Sequence, residues 1–176
     1  MLYIHNVVIN PKEENRNMGE LKQKGIYKPG TKIVFDDLLC EFAEKIAKTF
    51  SEVKTVTRID KRTGKSSEKE ERKGVSSTQL RRLFDEVKRY ERLVVDDKTW
   101  GEQKPYIKMI KSKVHYTVAR ATKKSSDEEK KFYNNLLSFI SDGIDLISDK
   151  EDLNVFIALF EAVYGFYYER RPDLKN

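Results

Sequence analysis

Cysteine occurs once in the 176 residues, as Cys40. A lone thiol cannot form an internal disulfide or a Cys-x-x-Cys metal site, and a reducing, cytoplasmic setting is expected. Histidine occurs twice, as His5 and His115, and neither has a Cys-containing or carboxylate-rich partner set nearby in sequence. No metal or cofactor is therefore expected. There is no Gly-rich phosphate loop, no His-Glu-x-x-His, and no nucleophile and base at a recognisable spacing, so the motifs of the common enzyme classes are missing. Long apolar runs are missing too: the longest, near Val155 to Tyr168, is broken by Glu161. Neither a membrane span nor a secretory signal is expected.

What the chain has is charge, unevenly spread. The net charge is +6. Residues 1–56 carry +1, 57–74 carry +3, 75–124 carry +7 and 125–176 carry −5. A cationic middle beside an anionic end is the footprint of a surface that meets a polyanion.

Helical periodicity dominates the pattern. Phe35, Leu38, Leu39, Phe42, Ile46 and Phe50 predict a first amphipathic helix within Thr31 to Ser51. Ser76 with Gln79 reads as a capping box, followed by a buried stripe of Leu80, Leu83, Phe84, Val87 and Tyr90. Asp96, Asp97, Trp100 and Gly101 read as a turn, with Pro105 near the first position of a helix over Lys104 to Lys124. Ser126/Glu129 and Ser148/Glu151 predict two further capping boxes and two last helices, the final one apolar nearly all round. Its Phe156, Phe160, Tyr164 and Tyr167 are read as core. Residues 1–30 read as an irregular arm, and 57–74, almost devoid of apolar side chains, as a mobile basic loop unable to offset its ordering entropy by burial. The predicted fold is a single all-α domain over 1–176, a compact bundle of about five helices.

The segment KPYIKMIKSKVHYTVAR, Lys104 to Arg120, carries two faces. Ile107, Ile110, Val114, Val118 and Ala121 form an apolar stripe, while Lys104, Lys108, Lys111 and His115 form a cationic one beside it, and Lys113 and Arg120 lie across the helix. On the preceding helix Arg81, Lys88 and Arg92 share a flank, with Arg82 and Arg89 alongside. Antiparallel packing would place Arg81, Lys88, Lys108 and Lys111 around one groove. Cations interleaved with Tyr90, Tyr106 and Tyr116 are chemistry for gripping a nucleic-acid backbone without reading sequence. A small helical ribonuclease using His115, and a helix-turn-helix DNA binder using Thr78 to Arg92, are the rival readings.

SSTQLRRLFDEVKRY, then KPYIKMIKSKVHYTVAR, then FIALFEAVYGFYYER, together resemble the small subunit of the type III-A CRISPR effector, the Csm complex, over about Val75 to Arg170. The resemblance implies an all-helical, non-catalytic RNA-binding subunit. Several copies would stack along the complex and hold guide RNA with its target RNA, while neighbouring subunits cut. It places the family's basic motifs on Arg81 and Arg82 and on Lys108, Lys111, Lys113 and Arg120. The arm and the 57–74 loop are then additions to the family pattern. The apolar surface of the closing helix predicts a homo-oligomer or a covering partner.

Overall fold

A computed structural model describes residues 19–59 and 66–173, with backbone alone at 58 and 59. In chain order it comprises α1 (Glu20–Lys24), a π-helical turn (Leu38–Phe42) running into α2 (Ala43–Lys48), β1 (Ser51–Ile59), β2 (Ser66–Gly74), α3 (Ser77–Lys88), α4 (Tyr90–Leu93), α5 (Asp97–Thr122), α6 (Asp127–Leu146) and α7 (Lys150–Tyr168). The domain is thus mostly helical but not all-α, because β1 and β2 form an antiparallel sheet.

α7 is the centre of the core. Leu153, Phe156, Ile157, Leu159, Phe160, Val163 and Tyr167 are all buried, with α2, α3 and α6 packed around them. Each such side chain contributes about 1.5–3 kcal/mol by burial. Phe139 meets Phe160 edge to face at 5.4 Å, and Phe84 stacks on Tyr164 at 5.4 Å. The aromatics at helical spacing are core, as the sequence predicts. Gly143 lets α6 and α7 close up, since a Cβ there would lie 1.9 Å from the Phe156 ring. The premise for self-association through α7 is corrected: its apolar faces are covered within one chain, leaving mainly Phe166 and Tyr168 exposed.

Helix starts are where the expectations shift most. α5 begins at Asp97, seven residues before the predicted start, because Asp96 accepts from the Thr99 amide at 2.8 Å and the Thr99 hydroxyl accepts from the Asp96 amide at 3.0 Å. The Asp pair is a helix cap rather than a turn, and Pro105 lies inside the helix. At α3, Ser76 is the cap residue but makes no side-chain cap bond. The Tyr133 hydroxyl takes the part predicted for Gln79: it accepts from the Ser76 amide at 3.1 Å and donates to the Gln79 side chain at 2.6 Å. Ser126 and Glu129 do form their capping box. The α7 cap is displaced by one residue, to Asp149, which accepts from the Asp152 amide at 2.9 Å.

The segment predicted as a loop is a hairpin. Residues 57–59 and 66–74 lie in strands, and 60–65 fall outside the described residues. The ladder runs from Ser51↔Gly74 to Ile59↔Ser66 and sets Glu52 opposite Lys73 and Lys54 opposite Glu71. A backbone ladder with opposed charges supplies the order that apolar burial does not. The hairpin is also tied down at its base. Glu128, in the first turn of α6, accepts from Lys54 at 3.1 Å and Lys73 at 2.8 Å, and Arg72 donates to the Glu169 carbonyl at 2.5 Å.

The two lysines, Lys73 foremost, pull the Glu128 carboxyl down to about 2. A carboxyl held lower in the folded state stabilises fully above its ordinary value near 4.5, and that contribution is lost as pH falls through about 2. Glu128→Gln is accordingly expected to weaken hydrogen-exchange protection across β1 and β2 at neutral pH while α6 and α7 keep theirs; equal protection in both proteins would show that the ion cluster does not dock the hairpin.

The start of the chain contributes more than an arm. Residues 1–18 lie outside the described part, but Leu21 and Ile26 are buried, and Tyr27 pairs with Val34 across a tight turn. Lys32 reaches Asp149 at 2.8 Å and buried Asp152 at 2.6 Å, pinning this turn to the start of α7. The first long helix is shorter than predicted: it begins at Leu38, and Leu39 points outward with 43% exposure.

Candidate nucleic-acid interface

α3 and α5 pack side by side because each presents an apolar stripe to the same core. Leu80, Leu83 and Val87 are buried from α3, and Ile107, Ile110, Val114 and Val118 from α5. The residues flanking those stripes then face each other across a cleft of about 460 Å³, lined by Gln79, Arg82, Leu83, Glu86, Lys113, Tyr116, Thr117 and Arg120. Arg82 and Arg120 are exposed, and neither makes an ion pair or hydrogen bond with a described residue. Lys113 donates to Glu86 at 2.6 Å. Tyr116 projects into solvent with 66% exposure, and Tyr106 and Met109 continue the outer face of α5 at 54% and 45%.

The seven cations singled out from the sequence therefore separate. Arg82, Lys113 and Arg120 share the cleft. Arg81 is exposed on α3, 3.6 Å from Asp85, and does not line it. Lys88 turns toward α7 and binds Glu161 at 2.7 Å. Lys111 turns toward α6 and binds both oxygens of Asp145, at 2.8 and 2.9 Å. Lys108 is half-buried and donates to the carbonyls of Ile144 at 2.5 Å and Ile147 at 3.0 Å, at the end of α6. Burial holds its pKa below the usual lysine value. The predicted groove of Arg81, Lys88, Lys108 and Lys111 does not form, because the stripe carrying Lys108 and Lys111 is the one α5 turns toward α6.

Tyr90, which the sequence sets both on the buried stripe that begins at Leu80 and among the tyrosines interleaved with cations, is buried as the stripe predicts, and the Arg89 guanidinium donates to its hydroxyl at 2.9 Å. Gln79 and Thr117 were missed as lining residues. They sit one turn from Arg82 and from Lys113 on the same helix faces, so helical spacing alone could have found them. His115 is exposed on α5 and is not among the lining residues.

A small, largely helical protein with a cation-lined cleft and, among the described residues, no group of three His, Cys, Asp or Glu able to hold a metal is the class defined by this architecture. No described helix is long and apolar enough to cross a membrane. The chain belongs to the Csm2 Type III-A family, whose model matches residues 51–170, and that membership makes it a small subunit of the type III-A Csm complex. No curated protein and no solved structure matches it. The match starts at Ser51, so the hairpin lies within the matched span and the residues before it lie outside.

Proposed function

We propose that this subunit is a non-catalytic, sequence-independent RNA-binding element of its ribonucleoprotein, holding guide RNA and target RNA along the complex through phosphate contacts in the α3–α5 cleft. The observation that carries the reading is the pair of exposed guanidiniums, Arg82 and Arg120, which have no partner among the described residues and line one cleft with an exposed Tyr116. Guanidiniums match phosphate oxygens in geometry and stay charged at any working pH. A tyrosine beside them offers a face on which any base can stack. Lys88, Lys108 and Lys111 are committed to partners inside the chain and are left out of the proposed contact set. Copies of the chain would be held in a row by RNA and by the other Csm subunits, since α7 is covered within one chain.

Phosphate recognition has a salt signature. Each contact on single-stranded RNA contributes about −0.7 to the slope of log affinity against log salt, so Arg82 and Arg120 together give a slope of about −1.4. Oligomers of unrelated sequence are expected to bind within a few-fold of one another on that slope. One sequence bound far more tightly than the rest would sink the proposal in favour of base readout, and cleavage of the labelled oligomers would favour the ribonuclease.

A further inference from the structure

The cleft contains one group that works against phosphate. Glu86 lies on its floor with a side chain only 23% exposed, accepting from Lys113 at 2.6 Å and lying 3.4 Å from Arg89. Arg82 and Arg120 have no such partner. A phosphate held beside Arg82 lies one helical turn from a cation already neutralised and a carboxylate that cannot leave, because the helix holding it is fixed in the core by Leu83 and Val87.

From this we infer that Glu86 is an affinity-limiting residue, an internal rival of phosphate for Lys113. The inference rests on the α3–α5 cleft being the RNA surface. A partly exposed ion pair is weak, so Lys113 exchanges readily between the carboxylate and a phosphate. The exchange gains little while Glu86 is charged, because moving Lys113 uncovers a negative group facing the incoming anion. The consequence is a loose grip. RNA stays on through Arg82 and Arg120, and the third contact is held in balance.

The test uses the full chain and a mixed-sequence single-stranded RNA of fifteen nucleotides. Glu86→Gln is expected to bind about threefold to tenfold more tightly at low salt, with the salt slope steeper by about 0.7 as Lys113 becomes a full contact. Asp85→Asn removes the same charge from the next residue of α3, whose carboxylate lies 3.6 Å from Arg81 outside the cleft lining, and should change affinity less than about twofold. Lys113→Met should leave the salt slope of the parent nearly unchanged and should remove the added slope of about 0.7 in the Glu86→Gln background; this cycle also serves if thermal melting shows that Glu86→Gln is poorly folded by itself. Glu86→Gln binding no more tightly than the parent, or Asp85→Asn giving an equal gain, overturns the inference. If instead the joint change of Arg82 and Arg120 to glutamate leaves RNA affinity untouched, the cleft reading itself has failed, which is a different result from a silent Glu86.

Discussion

Arg82→Glu combined with Arg120→Glu is expected to lower affinity for single-stranded RNA by about two orders of magnitude at low salt, since two attractive phosphate contacts become two repulsive ones. Melting should hardly move, because both side chains are exposed and unpartnered and surface charges contribute little to stability. Lys48→Glu with Lys130→Glu provides the matched control. These lysines are exposed, at the end of α2 and in the first turn of α6, do not line the cleft, and pair among the described residues with Glu44 and Asp127 on their own helices. Filter binding or anisotropy at two salt concentrations reads both effects. Equal loss in the two double variants would mean that net charge, and not the cleft, governs binding.

Lys108→Met is expected to do the opposite: leave RNA affinity of the folded protein unchanged and cost stability. The ammonium group satisfies two carbonyls at the end of α6, where the helix has run out of its own donors and where a cation also complements the helix dipole. Removing the donor leaves half-buried acceptors unmet, a loss of about 1–3 kcal/mol. Denaturant unfolding measures it. Lys111→Met, whose partner Asp145 is solvent-exposed, should cost less than about 1 kcal/mol. If Lys108→Met unfolds like the parent protein but binds RNA poorly, then Lys108 is a nucleic-acid contact and its carbonyl partners are incidental.

The contrast between these two lysines marks the limit of what the sequence could say. Helical spacing correctly put Ile107, Ile110, Val114 and Val118 in the core, and it correctly set Arg82, Lys113 and Arg120 apart from that stripe. It could not tell which cations remain available, because that depends on acids brought in by the fold: Glu161 lies 73 residues from Lys88, and Asp145 lies 34 from Lys111. The hairpin was illegible for a related reason. Apolar content is a measure of burial, whereas β1 and β2 are ordered by their mutual ladder and by Glu128, 55 and 74 positions away from its two lysines. The early start of α5 was hidden differently. Asp and Gly usually mark turns, but one Asp with a Thr three residues on makes a cap, and a cap overrides the turn reading of the residues that follow it.

The joint between β2 and α3 has a mechanical meaning. Tyr167 donates to the carbonyl of Val75 and Tyr133 accepts from the amide of Ser76, so two hydroxyls from two core helices clamp the single Val75–Ser76 peptide group from both ends at the point where hairpin becomes helix. The same Tyr133 hydroxyl holds Gln79 on the rim of the cleft. The hairpin, about 30 Å long at the usual rise per residue, is therefore a lever with a fixed fulcrum. A neighbour that pushes on its strands loads the clamp directly, and the first turn beyond the clamp is the one that carries Gln79 and leads into Arg82. On the proposed RNA-binding reading, a load on the hairpin and a grip on RNA would meet at this one joint.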